Sequence, residues 1–331
     1  MTAFEMGDPK NSDGAGLVHE YGFDPTHGCR LEDLLRIGAP DETTDFAAFW
    51  LARHAAAMET RPRPVLRDTG EDSGPWRVFD WSYTSTGETA IRGWALLPRT
   101  GPVRRGFLIG HGYSGREAPD WDLEFGESAL FFPCFRGLGR SWNPHISDEP
   151  RWHVLHDIQS RDRYVIGGCV EDLWCGVTAV LRLFPGLAGH IGYLGVSFGG
   201  GVGALAIPWD DRIRRAHFNV PTFGNHPLRL QLATTGSAAS VQSFVGKCPE
   251  APGVLRYYDA AVAARHITIP VHCTCALFDP AVAPAGQFSI FNALAGPKEL
   301  FVLTAGHHLY PAQEEEARAL RQKIHNFFAD M

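Results

Sequence analysis

The spacing of apolar positions changes character along the chain. Up to about residue 40 the sequence is polar and rich in Gly, Asp and Pro, without a sustained period, and reads as a segment that wraps the surface. From Asp41 the stretch "PDETTDFAAFWLARHAAAMETRP" opens on acidic and Thr residues, continues with apolar positions at helical spacing and stops at a proline, which predicts a helix. "WRVFDWSYTS" and "GETAIRGWALLP" then alternate apolar with polar residues, as a hairpin or meander does. Beyond them, "RRGFLIG", "SALFFPCF", "HIGYLGV", "RAHFNV", "PVHCTCALF" and "ELFVLT" are short, nearly continuous apolar runs, the pattern of parallel strands buried on both faces. Helical patterns lie between them, including "RYVIGGCVEDLWCGVTAVLRLF", and "AQEEEARALRQKIHNFF" closes the chain. Antiparallel strands followed by alternating strand and helix predict an α/β fold: a mostly parallel central sheet with helices on both faces and an N-terminal antiparallel extension. With no internal repeat and no linker, residues 1–331 read as a single domain, with 1–100 as the extension and 101–331 as the core.

Composition narrows the classes. At 44% hydrophobic and 20% charged over 331 residues, the chain can bury a large core, which excludes a disordered or fibrous protein. A net charge of −7 supplies no basic field for nucleic acid or an anionic membrane, so a small, neutral partner fits better. The apolar runs are too short to span a bilayer, and "MTAFEMGDPKNSDG" lacks the pattern of a signal peptide, so the expected location is cytoplasmic. Seven scattered cysteines then read as reduced and mostly buried thiols. Cys273 and Cys275 would share one face of a strand, but no second pair at metal spacing accompanies them. His153 and His156 likewise lack a third ligand, and a solvated or hydrogen-bonded pair is expected. No metal or cofactor is predicted.

The chemistry concentrates in "GYLGVSFGGGVGALA", residues 192 to 206. A dinucleotide-binding reading of Gly201 to Ala206 requires an acid at the end of the next strand, where Asn219 stands. The other reading is Gly195, Val196, Ser197, Phe198, Gly199: a GxSxG nucleophile elbow, in which small residues two before and two after the serine leave room for a strained turn. A serine nucleophile needs a base and an orienting acid, which in α/β hydrolases follow in the order serine, acid, histidine. Asp279 follows "VHCTCALF", and His307 and His308 follow "ELFVLT", each just past a strand end. The oxyanion donors are then the backbone N–H of Phe198 and that of Tyr113, in the Gly-containing loop "HGYSGR" after an earlier strand.

These residues resemble the carbohydrate esterase family 7 acetyl esterases, which include acetylxylan esterases and cephalosporin C deacetylases. "DFAAFW", "IRGWALLP", "HGYSGR", "RGLGRSW", "GVSFGGG", "NVPTFGNH", "RYYDAAVAARHITIPV" and "GHHLYPA" follow the family order from about residue 20 to the C-terminus. The resemblance implies an α/β hydrolase fold with Ser197 as nucleophile, Asp279 as acid and His307 as base, acting on short acyl esters, chiefly acetyl groups on sugars. His307 is favoured over His308 by its place after Gly306 and before Pro311. The family also implies a homo-oligomer, often a ring-shaped hexamer. The chain departs from the pattern at Leu138 and Phe198, where the family has Gln, at His308, where it has Glu, and in "DPAVAP". Bulk at Phe198 and Tyr113 is expected to limit the acyl group, and Trp142, with Trp121, to offer a stacking surface to a sugar. Within the hydrolases, a prolyl-oligopeptidase-type peptidase and a dienelactone-hydrolase-like enzyme are the alternatives; outside catalysis, an inert hydrolase-fold binding protein is.

Overall fold

A computed structural model describes residues 16–331 apart from Glu124. Nine strands form one sheet in the order β1-β2-β3-β5-β4-β6-β7-β8-β9. The strands are β1 Val65–Ser73, β2 Trp76–Thr84, β3 Ala90–Pro98, β4 Arg105–Gly110, β5 Ser128–Pro133, β6 Ile191–Val196, β7 Ile213–Asn219, β8 Val271–Phe278 and β9 Lys298–Ala305. Pairing is antiparallel from β1 through β3 to β5 and parallel from β5 through β4 to β9. The six continuous apolar runs became the six parallel strands, and every residue of β5 and β8 is buried. β1 was not legible: "VLRDTGEDS" is an edge strand with mostly exposed side chains, so it carries no apolar period.

Helices of nine or more residues are numbered α1 Phe46–Met58, α2 Val165–Leu183, α3 Phe198–Ala206, α4 Ser237–Val245, α5 Pro284–Ala293 and α6 Gln313–Phe328. On one face of the sheet, α1, α2, α3 and α5 contribute to the larger core, around Trp50, Trp174 and Tyr193. On the other face, α6 buries Leu320, Ile324, Phe327 and Phe328 against Phe107, Leu130, Phe132 and Leu194. Among the described residues, no helix is long and apolar enough to cross a membrane.

The described part of the N-terminal segment does wrap the surface. Its backbone carbonyls at Leu34 and Ile37 accept from Asn292 Nδ2, both at 2.9 Å, and that of Gly38 accepts from Asn225 Nδ2 at 3.0 Å. Leu34 is fully buried, so the strap is anchored by packing as well as by polar contacts. Its first fifteen residues lie outside the described ones. All seven cysteines are free thiols and all but Cys29 are buried; Cys273 Sγ and Cys275 Sγ lie 3.7 Å apart on one face of β8, as the period-2 reading expects.

Candidate active site

Ser197 sits where β6 turns into α3, at φ 52° and ψ −106°, a strained conformation for a residue with a Cβ. The glycines on either side make the turn feasible. A Cβ on Gly195 would stand 2.6 Å from the carbonyl carbon of Gly199, and one on Gly199 would stand 2.6 Å from that of Gly110. Hydrogen bonds pin the elbow: Ser197 N–H donates to Asn219 C=O at 2.8 Å, and Gly199 N–H donates to His111 C=O at 2.9 Å.

The loops after β8 and β9 bring the other two groups to it. Asp279 is fully buried. Its Oδ1 accepts from the amides of Ala281 and Val282 at 2.9 and 2.8 Å, and its Oδ2 accepts from Gln287 Nε2 at 2.9 Å and His307 Nδ1 at 2.8 Å. His307 Nε2 then lies 3.1 Å from Ser197 Oγ. With Nδ1–H directed at the carboxylate, Nε2 carries the lone pair and faces Ser197 Oγ. Burial pulls the His307 pKa down, but its hydrogen bond to Asp279 and the carboxylate's negative charge overcome this, and the net shift is upward. His308 faces elsewhere: its Nδ1 lies 3.2 Å from Tyr21 Oη, and its ring meets Phe278 at 5.0 Å.

Phe198 N–H is the first amide of α3, and Tyr113 N–H lies in the loop after β4. Among the described residues, neither donates to a protein acceptor. His111 fixes that loop from within. Its Nε2 accepts from Phe135 N–H at 3.0 Å and its Nδ1 contacts Gly112 C=O at 2.6 Å, the neutral tautomer, and burial lowers its pKa to about 3.

The side chain of Phe198 corrects one expectation. It is fully buried, stacked on Tyr113 at 4.2 Å and edge-on to Phe135 at 5.4 Å, so it supports the site from beneath and does not reach a substrate. Tyr113 is tethered as well: its hydroxyl donates to His153 Nδ1 at 2.9 Å, while His153 Nε2–H donates to Arg136 C=O at 2.9 Å. The role of His153 is therefore that of a hydrogen-bonded buried histidine, with burial lowering its pKa to about 4. Leu138 is buried in the core. Trp142 and Trp121 are 59% and 44% exposed, and neither lines the groove beside His307.

That groove has a volume of about 670 Å³. It runs between β6, β7, β9 and α6, with Val196, Asn219, Leu303, His307 and Leu320 along it and Tyr21 of the strap in one wall. A larger recess of about 820 Å³, lined by Arg53, Arg136 and Glu171 among others, contains none of Ser197, Asp279 and His307.

Sequence reasoning missed Gln287 and the tethers made by His111 to its own loop and by His153 to Tyr113. Gln287 carried a weak signal, an amide eight residues after the acid, in a helix that holds a second amide at Asn292; the two histidines carried none that separates them from other buried ones.

Residues 31–327 match the family described as acetyl xylan esterase (AXE1). The fold is similar to that of the acetyl xylan esterase from Paenibacillus sp. R4, with TM-score 0.77, 22% identity, and coverage of 89% of this chain and 99% of that one. It is also similar to acetyl xylan esterase 1 from Thermoanaerobacterium sp. JW/SL YS485, with TM-score 0.73, 17% identity, and coverage of 91% and 99%. An acylaminoacyl peptidase from Pyrococcus horikoshii shares the fold more distantly, with TM-score 0.60, 12% identity, and coverage of 78% and 42%. No curated protein sequence matches the chain significantly. With an α/β hydrolase sheet beneath it and a family match over nearly its whole length, the chain belongs to the acetyl xylan esterase (AXE1) family of carboxylic ester hydrolases.

Proposed function

We propose that the protein removes acetyl groups from small carbohydrate-type esters through an acyl-enzyme formed on Ser197. The observation that carries this reading is the unbroken chain from Asp279 through His307 to Ser197 Oγ, at 2.8 and 3.1 Å. His307 Nε2 takes the serine proton as Oγ attacks the acetyl carbonyl, and the N–H groups of Phe198 and Tyr113 hold the oxyanion. Asp279 keeps the imidazole in its tautomer and stabilises the imidazolium. The same Nε2–H then protonates the leaving alcohol, which must therefore lie against His307, a residue that also lines the groove. Water cleaves the acetyl-enzyme with His307 again as base.

Ser197→Ala is expected to lower p-nitrophenyl acetate turnover by roughly 10⁴-fold or more while leaving the melting curve in place. A folded Ser197→Ala protein with wild-type turnover would reject the assignment. Assembly into a homo-oligomer belongs to the same reading and is checked by light scattering. So does a cytoplasmic location, which the free thiols favour and cell fractionation checks.

A further inference from the structure

His307 stands at φ 49°, in the left-handed region that residues with a Cβ seldom enter. A conformation of this kind persists only where the surroundings over-determine it. The backbone beside it supplies little of that constraint. Gly306 N–H donates to Phe278 C=O at 2.8 Å, but among the described residues no backbone-to-backbone hydrogen bond begins or ends at His307, His308 or Leu309.

One side chain closes the loop instead. Glu316 lies in the first turn of α6, after the exposed Glu314 and Glu315, and is itself half-buried. Its Oε2 accepts from Thr304 N–H at 3.0 Å and from the Tyr310 hydroxyl at 2.7 Å, and its Oε1 accepts from the Thr304 hydroxyl at 2.6 Å. Thr304 is three residues before His307 and Tyr310 three after it, so a single carboxylate grips both ends of the loop with the histidine at the midpoint. β9 is an edge strand, which leaves Thr304 N–H free to reach a side chain. The grip is anchored as well, because Leu320 and Ile324, about one and two turns further along α6, are buried against the sheet.

We propose that Glu316 is a positioning residue for the base: through Thr304 and Tyr310 it sets the loop that aims His307 Nδ1 at Asp279 and Nε2 at Ser197. It touches neither the substrate nor the reacting atoms. A base displaced by about 1 Å costs on the order of 10²-fold in rate, so a loosened loop acts on kcat. That consequence for catalysis rests on the esterase reading; the hold on His307 does not.

The test uses the full chain. Wild type, Glu316→Ala, Glu316→Gln, Tyr310→Phe and the Glu316→Ala/Tyr310→Phe pair are compared by p-nitrophenyl acetate kinetics, by Tm and by the low-field proton resonance of His307 Nδ1–H, identified by its loss in His307→Ala. Glu316→Ala is expected to lower kcat by about 10- to 100-fold with KM within about 2-fold, and to shift or broaden the resonance. The acid limb of kcat/KM should move to lower pH, because a histidine that loosens from Asp279 loses the cause of its raised pKa. Tyr310→Phe keeps the ring and should lower kcat by about 3- to 10-fold; the pair should be no slower than Glu316→Ala, which has already removed that contact. Glu316→Gln should recover most of the rate: its Oε1 still accepts from Thr304 N–H and Tyr310, and the Thr304 hydroxyl turns to accept from Nε2. Wild-type kcat and resonance in a folded Glu316→Ala overturn the proposal. So does a lowered Tm with resonance and acid limb unmoved, the mark of a purely structural carboxylate, and so do equal losses in Glu316→Ala and Glu316→Gln, which assign the effect to charge. Should Glu316→Ala fail to fold, Tyr310→Phe decides alone, and wild-type kcat, acid limb and resonance in that variant reject the clamp. The resonance is read without substrate, so it still reports on Glu316 if Ser197→Ala keeps full turnover and the esterase reading falls.

Discussion

Gln287 Nε2 donates to Asp279 Oδ2 at 2.9 Å, the same oxygen that receives His307 Nδ1–H. The amide is itself fixed: Nε2 also donates to Val282 C=O at 2.7 Å, and Oε1 accepts from Ala276 N–H at 2.8 Å. Gln287 is a positioning residue that sets the carboxylate plane without touching substrate. Gln287→Ala should lower kcat by about 10- to 100-fold with KM nearly unchanged. Equal loss in kcat and rise in KM on p-nitrophenyl acetate would point instead to a general collapse of the site.

The paired histidines separate cleanly. His307→Ala should reduce kcat/KM by roughly 10⁴-fold, since the serine loses its base. His308→Ala removes only the contacts to Tyr21 and Phe278 and should leave kcat within about 3-fold, with its effect confined to KM for larger alcohols. Kinetics on an ester panel decide it, and comparable loss in both variants is the adverse outcome.

Acid acts on activity and stability through different histidines. Burial lowers His111, His153 and His226 to about 3, 4 and 3, so the folded protein keeps them neutral. Below their ordinary value near 6.5 the unfolded chain binds more protons than the folded one, and stability falls with pH by about 1.4 kcal/mol per unit for each, until the folded values are passed. His307 runs the other way. Its raised pKa contributes stability below about 6.5 that is lost as pH rises through the folded value. Because catalysis needs His307 neutral, the acid limb of kcat/KM should lie above pH 6.5. Melting curves and rate profiles between pH 4 and 8 check both; a Tm that stays flat from pH 7 to 5 contradicts the buried neutral histidines.

Phe198→Gln restores the residue expected of the family and should harm this protein. The amide would enter a space formed by Tyr113, Phe135 and Phe223 together with the rings of His111 and His153, whose nitrogens are already hydrogen-bonded elsewhere. A loss of about 2–4 kcal/mol follows from the lost packing and the unpaired amide, read by urea unfolding. The backbone N–H stays in place, so kcat of the folded fraction should change little. An unchanged unfolding midpoint would mean that the amide finds partners there.

The parallel strands were readable because burial on both faces leaves continuous apolar runs, and the order of Ser197, Asp279 and His307 because each closes such a run. Chemistry held by long-range contacts was not readable. Nothing near Phe198 in sequence says that Tyr113, eighty-five positions earlier, will cover its ring. Nor does "WHVLH" reveal that His153 will anchor the Tyr113 hydroxyl. Phe198 therefore looked like a pocket residue from its place beside the nucleophile, whereas the backbone turn that aims Ser197 at His307 drives the next side chain inward.

Tyr21 lies in an irregular stretch of the N-terminal strap, yet it reaches both His308 and the groove beside His307. If the leaving alcohol enters by the groove beside His307, one wall of its path is thus built from chain that carries none of the sheet's hydrogen bonds. Drift in that segment can retune which esters are accepted while the sheet and the reacting atoms stay as they are, so substrate range and catalytic power in this protein are free to evolve at different rates.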